Sequence, residues 1–335
     1  MIKIIHLNWL ICCLALISCN PVNKTEKVSF AGETQGTYYA ISYYHSDKKN
    51  YQPQIDSLLK AFDQSVSLWV PNSLISRINS GDSTALPDDV FKYNFLLSKR
   101  IALDTDGYFD FTVSPLVEAW GFSFKEKIPL NQFQIDSLRS LVDFRNVKLE
   151  NGRIVKTDPR IRFDFNAIAQ GYSVDLIARF FDSRNIDQYI IDIGGEVFAK
   201  GRKPNGDNWR VGIERPEMNK NETRSVQQVV ILEDKGLATS GSYRKYYEEN
   251  GKRYSHAIDP KTGSPVVHNL LSVTVLANTA AEADAYATAF LVMGLEKSVE
   301  LLKQMENLEA YFISWNSNGS FETTATQGFE KYFVE

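Results

Sequence analysis

Two kinds of hydrophobic pattern follow one another along the chain. Apolar residues recur at helical spacing in the segments 54–67 and 90–103. Short, nearly continuous apolar stretches, typical of buried strands, occupy 189–193 and 270–277. Because helical and strand patterns alternate irregularly, they favour an α+β fold, with mixed sheets and packed helices, over a doubly wound parallel sheet.

The remaining segments complete this prediction. Further strands or hairpins are predicted at 28–44, 147–157, 161–165, 196–199, 209–214, 226–232, 310–315 and 321–326, and further helices at 74–79, 131–141, 172–181 and 295–305. Asn151-Gly152 suits the tight turn of a hairpin. Pro87 is expected as the first residue of a helix, and Ser114-Pro115 as the cap and first residue of another. The small-residue segment 237–243 is expected to be a loop.

The segment 251–290 carries the most suggestive chemistry. It contains a predicted strand with His256, the turn 259–263, an apolar strand and then a helix of small residues beginning near Ala280. Asp284 and Thr288 are four residues apart, so they share a face of that helix. A carboxylate and a hydroxyl suit a hard cation such as Mg²⁺. The alternative is a solvated Asp beside a Thr that bonds to its own helix.

The N-terminal segment is predicted to be removed or modified before the protein is mature. One early Lys precedes the apolar run 10–17, which is short for a membrane-spanning helix and typical of a signal peptide. The run ends in Leu16-Ile17-Ser18-Cys19, which resembles a bacterial lipoprotein signal. An ordinary secretory signal that happens to contain Cys is the alternative.

The lipoprotein interpretation divides the chain into a signal peptide at 1–18, a membrane tether at 19–27 and one large domain at 28–335. All cysteines of the chain, Cys12, Cys13 and Cys19, lie in the first two parts, so the mature domain would contain no disulfide. The protein is then expected to be anchored to a bacterial membrane and to face the periplasm, on the inner or the outer membrane. Mass spectrometry of the mature protein would show a diacylglyceryl-modified Cys19 at its N-terminus.

Charge and motifs exclude several classes of function. The net charge is −4 and no basic block occurs, which argues against a nucleic-acid partner. Neither a Walker A motif nor GxGxxG is present, which argues against a P-loop enzyme or a Rossmann dehydrogenase. The glycines at Gly36, Gly171, Gly194-Gly195 and Gly241 suit either tight turns or close approach to a phosphate.

Two other groups of residues have both a structural and a functional interpretation. His256 is either a structural histidine or a general base or phosphate contact. Trp69 and the aromatic cluster 108–111 are either core residues or one wall of a pocket for a planar ring system.

Seven motifs, taken in their order and spacing, resemble the FAD:protein FMN transferase family, the ApbE-type flavin transferases. They are TQGTYY, SLWVPNSLISRIN, GYFDFTVSPLVEAWGF, DFNAIAQGYSVD, IIDIGGEVFAKG, GLATSGSYRKYYEENGKRYSHAIDPKTGSPV and AEADAYATAFLVMG. Together they cover nearly the whole predicted mature domain. The resemblance implies an ApbE-like, T-fold-like α+β architecture.

The resemblance also implies a site. Asp284 and Thr288 match the family's metal-binding side chains, Ala167 matches a carbonyl ligand, and His256 matches the histidine thought to assist transfer. Positions that line the FAD site correspond to Gln35, Trp69, Tyr108, Phe109, Asp110, Asp164, Gln170 and Ile258. Gln35 stands where Met is common and Gln170 where Lys is common, so phosphate binding is expected to depend more on the metal, on backbone N–H groups and on Arg244.

The activity implied by the family uses Mg²⁺ as cofactor and FAD as substrate. FMN passes to a Thr or Ser of a target redox subunit and AMP leaves. Two alternatives stay open at this stage: an FAD pyrophosphatase that yields FMN and AMP, and an exported flavin-binding lipoprotein without catalysis.

Overall fold

The computed structural model describes residues 25–123, 129–216, 223, 225–243, 246–249 and 252–334. The signal peptide 1–18, Cys19 and Arg244 lie outside these ranges. The helices are α1 (Gln52–Val66), α2 (Leu74–Asn79), α3 (Asp89–Asp104), α4 (Ser114–Ala119), α5 (Gln132–Arg139), α6 (Ala169–Asp182), α7 (Ala280–Met293), α8 (Leu295–Leu302) and α9 (Gln327–Glu330). The strands are β1 (Glu26–Thr34), β2 (Thr37–His45), β3 (Val147–Glu150), β4 (Arg153–Lys156), β5 (Tyr189–Ile193), β6 (Glu196–Lys200), β7 (Trp209–Glu214), β8 (Val226–Leu232), β9 (Lys235–Gly241), β10 (Tyr246–Glu249), β11 (Lys252–Ser255), β12 (Ile258–Asp259), β13 (Ser264–Pro265), β14 (Leu270–Ala277), β15 (Glu309–Trp315) and β16 (Phe321–Ala325).

One large antiparallel sheet organises the molecule. Its strand order is β1-β2-β5-β6-β9-β14-β15-β16. The hairpins β3–β4, β7–β8, β10–β11 and β12–β13 lie outside it. The mixture of helices with antiparallel strands confirms the predicted α+β class.

The helix α7 packs directly on the centre of this sheet, against β9 and β14, and the helix α6 lies beside it. Residues on both sides of the contact are small, so the backbones can approach closely. A side chain on Gly236 of β9 would lie 2.4 Å from the backbone carbon of Thr279, where α7 begins. The alanines of α7 are buried for the same reason.

Hydrophobic residues form three clusters around this sheet. The largest joins α1, α2, α3 and α7 with the aromatic residues Phe109, Phe111, Phe163 and Phe165. A second lies between the β1–β2 hairpin, α1 and α6, and a third lies on the opposite face of the sheet, under β7 and β8. The site described below lies where the first two clusters meet, at the crossing of α6 and α7.

Several predicted elements differ in detail from the structure. The segment 237–243 was expected to be a loop, but most of it is the central strand β9; its Gly and Ala residues are uncommon in strands, and its small side chains suit close packing under α7. The segment 161–165 is buried without being a strand, and Arg162 forms only an isolated bridge to Val113. His256 lies between β11 and β12 and not within a strand.

Two predicted helix starts were also wrong by one or two residues. Pro87 precedes α3, whose cap is Asp88, because the Asp88 carboxylate accepts the backbone N–H of Phe91 at 2.8 Å. The cap of α4 is Val113 and not Ser114, so Pro115 is the second residue of that helix. The strand β1 begins at Glu26, two residues before the predicted strand.

Among the described residues no helix is both long and apolar enough to span a bilayer.

Candidate active site at the crossing of two helices

The helix α7 presents Asp284 and Thr288 at the crossing with α6. The hydroxyl of Thr279 caps α7 by accepting the backbone N–H of Glu282 at 3.2 Å. Asp284 follows in the second turn and is only 6% exposed. Its Oδ2 accepts the backbone N–H of Gly171, near the start of α6, at 3.0 Å.

The Asp284 carboxylate is poorly compensated for a buried charge. Within the part of the chain that the structure describes, its other oxygen accepts no hydrogen bond. Burial raises the pKa of Asp284, and the nearby Asp175 carboxylate adds to that effect, whereas the Gly171 N–H opposes it. A cation beside this oxygen would offset the cost of burying the charge.

Other oxygen atoms stand close to Asp284 in the fold. Thr288 lies one turn further along α7, and its Oγ1 is 2.9 Å from Oγ of Ser240 on β9. Ala167 lies two residues before α6 begins, and the N–H of Gly171 belongs to the first turn of α6, where N–H groups have no acceptor within the helix and can bond to Asp284. Asp284 and Thr288 therefore lie on α7, which packs against α6, and Ala167 lies in the segment that leads into α6.

This donor set fits a hard cation. A carboxylate, hydroxyls and a carbonyl are the ligands that Mg²⁺ prefers, and they fill only part of an octahedral shell. No group of three or more His, Cys, Asp or Glu side chains suited to a metal occurs among the described residues, so this crossing does not resemble a zinc site.

The predicted flavin-site residues Gln35 and Gln170 both lie beside Ser173 of α6, whose hydroxyl donates to the Gln170 carbonyl at 2.7 Å. Gln35 occupies the β1–β2 turn with a φ of 51°, and its Oε1 is 3.5 Å from Oγ of Ser173 on α6. Its Nε2 is buried and has no hydrogen-bond partner in the described structure. The β5–β6 turn is close by, since a side chain on Gly194 would lie 2.7 Å from Nε2 of Gln170.

Glycine has different roles at the four positions noted in the sequence. Gly194 and Gly195 have φ values of 65° and 111°, so both require the freedom of glycine. Gly36 forms a turn with a φ of 73°. Gly171 lies in α6 and Gly241 ends β9, so neither forms a tight turn.

The predicted aromatic wall divides into exposed and buried residues. Trp69, between α1 and α2, is 61% exposed. Tyr108 is partly exposed, and the ammonium groups of Lys261 and Lys297 lie 4.1 and 4.6 Å from its ring centre. Phe109 and Phe111 are buried in the largest hydrophobic cluster. The core interpretation therefore holds for Phe109 and Phe111, whereas the pocket interpretation of Trp69 and Tyr108 stays a prediction.

Asp110 and Asp164 are buried and organise the backbone. Asp110 accepts hydrogen bonds from the backbone N–H and hydroxyl of Thr112 and from the N–H of Phe144, at 2.7 to 2.9 Å. Asp164 accepts the N–H of Asn166 at 2.8 Å. Burial raises the pKa of each carboxyl to about 6.

His256 and Ile258 belong to the segment that follows β11. His256 is partly exposed and lies edge-to-face with the ring of Phe122, with 6.4 Å between ring centres. Ile258 is buried, and its strand β12 packs against α7. Asp259, which follows His256 by three residues, caps the next turn by accepting the N–H of Lys261 at 2.8 Å.

Sequence analysis missed two residues of this site. Ser240 was predicted to lie in a loop. The other hydroxyl residues beside it in the sequence were the signal that could have identified it as part of the site. Asp175 was not identified as part of the site; it accepts the N–H groups of Ala280 and Ala281. Its partners are more than one hundred residues away in sequence, so no local pattern indicates the contact.

Comparison with known proteins identifies the family to which this fold belongs. The model of the ApbE family matches residues 35–312. The chain therefore belongs to the ApbE family, as the sequence motifs predicted.

Individual relatives agree with this assignment. The FAD:protein FMN transferase of Haemophilus influenzae is 34% identical over 334 residues, covering 95% of this chain and 94% of the relative. That of Escherichia coli K12 is 36% identical over 329 residues, covering 93% and 91%. The prediction of an enzyme of the flavin transferase family is confirmed.

Solved structures show the same architecture. The flavin transferase ApbE from Vibrio cholerae superimposes with a TM-score of 0.82 at 30% identity, over 92% of this chain and 100% of that one. The apo flavinyl transferase ApbE of Pseudomonas stutzeri gives a TM-score of 0.82 at 31% identity, over 92% and 97%. The ApbE-like fold predicted from the motifs is confirmed.

Proposed function

We propose that this chain is a Mg²⁺-dependent FAD:protein FMN transferase. A Thr or Ser hydroxyl of a target protein attacks the FMN phosphorus of FAD. A new bond forms between that phosphorus and the acceptor oxygen, the bond to the bridging oxygen breaks, and AMP leaves with the bridging oxygen. The observation that supports this proposal most directly is the poorly compensated Asp284 carboxylate beside Thr288, in a chain of the ApbE family.

Asp284, Thr288 and the carbonyl of Ala167 would hold the cation. When bound, Mg²⁺ supplies positive charge next to the pyrophosphate oxygens, where negative charge grows during transfer. Asp284 is buried, so it holds its oxygen in a fixed direction and at low solvent exposure. Ser240 orients Thr288 through the contact between their hydroxyls.

The other proposed roles follow from position. The exposed ring of Trp69 and the partly exposed ring of Tyr108 offer surfaces for the planar groups of FAD. Gln35 and Gln170 offer neutral hydrogen-bond donors beside the glycine turn 194–195. Phe109, Asp110, Asp164 and Ile258 are buried, so we propose that they shape the pocket through packing and backbone positions.

His256 is proposed as the general base that takes the proton from the acceptor hydroxyl. The partial exposure of its ring would let an acceptor side chain reach it. His256→Ala is expected to keep FAD affinity and to lower the transfer rate by roughly 10²–10⁴-fold, the usual range for general acid–base help. Equilibrium FAD binding and single-turnover transfer measure the two quantities. Lost FAD binding with an unchanged transfer rate at saturation would contradict this role.

We also propose that the protein acts at a membrane, anchored through a lipidated Cys19 and facing the periplasm. This location would place the enzyme beside membrane redox subunits that carry the acceptor hydroxyl. The support is the sequence of the N-terminal segment alone.

The decisive assay supplies FAD, Mg²⁺ and an acceptor peptide with a small residue followed by Ala-Thr, together with a copy in which valine replaces the threonine. We expect AMP release and covalently flavinylated peptide with threonine and neither product with valine. AMP release that is equal for both peptides, without labelling, would identify a pyrophosphatase. FAD binding without AMP would identify a flavin-binding protein.

A further inference from the structure

The helices α6 and α7 are in backbone contact where they cross. A side chain on Gly171 would lie 2.3 Å from the carbonyl oxygen of Ala280 and 2.8 Å from Cα of Ala281. No real side chain tolerates such distances, so the two backbones meet without any side chain between them. The relative position of the helices at this point is therefore closely fixed.

A buried carboxylate on each helix bonds to the backbone of the other. Asp175 of α6 accepts the N–H groups of Ala280 and Ala281 at 2.8 and 3.0 Å, and these are unsatisfied donors at the start of α7. Asp284 of α7 accepts the N–H of Gly171 at 3.0 Å. Each helix thus receives a carboxylate from its partner near its N-terminus, where the helix dipole favours negative charge.

Asp175 is surrounded by few charges. It is 5% exposed, and Arg179, one turn further along α6, is the cation whose charge acts on it, while Glu282 and Asp284 of α7 are the neighbouring carboxylates. Arg179 lies over the rings of Tyr93 and Tyr172 and donates to the Tyr172 hydroxyl at 3.3 Å. The hydrogen bonds that the Asp175 carboxylate accepts are therefore its two bonds from the backbone at the start of α7.

We propose that Asp175 is a positioning residue that sets the distance and rotation of α7 so that Asp284 and Thr288 present their oxygens together with the Ala167 carbonyl. Asp284 is only three residues beyond Ala281, at a rise of 1.5 Å per residue, so any shift at the start of α7 passes directly to it. The proposal rests on the metal site of the proposed function. It adds a residue that touches neither FAD nor the cation but determines how tightly the cation binds.

The test measures Mg²⁺ binding without any turnover. Mg²⁺ is titrated into the protein with ADP present, since ADP supplies a pyrophosphate but no flavin to transfer. Calorimetry, after subtraction of the same titration of Mg²⁺ into ADP without protein, gives the dissociation constant, and the rise in thermal midpoint with Mg²⁺ gives an independent value. Wild type, Asp175→Asn and Asp175→Ala are compared.

We expect Asp175→Ala to weaken Mg²⁺ binding by about 10–100-fold, the usual effect of losing a residue that orients a metal ligand. Asp175→Asn keeps one acceptor oxygen for one of the two N–H groups, so its loss should be smaller. A larger loss of Mg²⁺ affinity in Asp175→Ala than in Asp175→Asn is what the hydrogen bonds from Asp175 to the start of α7 predict.

Two control variants separate the loss of helix positioning from a general loss of stability and from the loss of a negative charge near the site. Asp88→Ala removes another carboxylate helix cap, which accepts from Phe91 and from the hydroxyl of Ser65, and tests the effect of lost stability. Glu282→Gln removes a negative charge from the first turn of α7 and leaves both Asp175 bonds in place. Neither control should change the Mg²⁺ dissociation constant more than about threefold, well below the 10–100-fold expected for a lost orienting residue.

Each possible outcome is informative. Unchanged Mg²⁺ affinity in Asp175→Ala would overturn the positioning role, and so would a loss as large as this in Asp88→Ala or Glu282→Gln. A wild-type protein that binds no Mg²⁺ would instead remove the metal site itself, and with it both the proposed cation dependence and this inference.

Discussion

At the scale of single residues, buried carboxylates that bond to backbone N–H groups are the recurring feature. Asp110, Asp164, Asp175 and Asp284 are all buried, and each accepts at least one backbone N–H. For all four, burial outweighs these hydrogen bonds and raises the pKa. Such groups make the native state sensitive to pH.

Asp110 gives the clearest pH prediction, because its hydrogen-bond partners are Thr112 and Phe144 and not proposed metal ligands. Burial raises the pKa of Asp110 in the folded protein to about 6, above the ordinary value of 3.8. As the pH rises from about 4 to about 6, the unfolded chain releases a proton that the folded carboxyl retains, so the Asp110 contribution to stability is lost across this window. In Asp110→Asn this contribution is absent.

The measurement is urea unfolding of both proteins between pH 4 and pH 7. Asp110→Asn should be less stable by about 1–3 kcal/mol near pH 4, because its amide cannot accept from both Thr112 and Phe144. This deficit should shrink as the pH rises. Parallel curves for the two proteins would contradict the pKa assigned to Asp110.

How far residue roles could be predicted depended on sequence separation. Helical spacing alone predicted that Asp284 and Thr288 share a face of one helix, and both lie in α7; their role as metal ligands stays a prediction. The structural role of Asp110 was not found, since Phe144 is 34 residues away. Asp175 was missed for the same reason.

At the scale of elements, small residues decide which helices and strands can touch. The crossing of α6 and α7 requires Gly171, and the contact of α7 with β9 requires Gly236. The same small residues explain why β9 was not predicted as a strand, because strands are recognised in a sequence mainly by β-branched and aromatic residues. Long amphipathic elements such as α1 and α3 were predicted to within two residues, since their patterns are local.

Gly171→Ala tests the crossing. Alanine is favoured over glycine in a helix by about 1 kcal/mol, but here its methyl group would overlap the backbone of Ala280. We expect a net loss of about 1–3 kcal/mol in the free energy of unfolding, together with weaker Mg²⁺ binding. Denaturant unfolding and calorimetry measure the two effects.

Gly152→Ala is the matched control for that variant. Gly152 has a φ of 74° in the β3–β4 turn, and no atom lies within 4 Å of an added side chain. It should lose stability through backbone strain alone and keep wild-type Mg²⁺ affinity. A stable Gly171→Ala protein with normal Mg²⁺ binding would show that the helices are not held as closely as the structure indicates.

At the scale of the whole molecule, the candidate site draws on segments from most of the chain. The β1–β2 turn, α6, β9, the segment after β11 and α7 are brought together by one sheet and two hydrophobic clusters. The α+β class was predictable from the irregular order of local patterns. The strand order was not predicted, because it depends on contacts between distant segments. The lipid anchor at Cys19 stays a prediction.

The most direct test of the central claim compares wild type with Asp284→Asn in a single turnover with FAD, Mg²⁺ and the threonine acceptor peptide. Asparagine keeps an acceptor for the Gly171 N–H but removes the only charged ligand proposed for the cation, so metal binding should fail while the metal-free fold survives. Wild type should release AMP and form flavinylated peptide in equal amounts, and EDTA should stop both. Asp284→Asn should yield neither product at ordinary Mg²⁺, with a metal-free thermal midpoint no lower than that of wild type. Wild-type rates in Asp284→Asn, or flavinylation that continues in EDTA, would contradict the account.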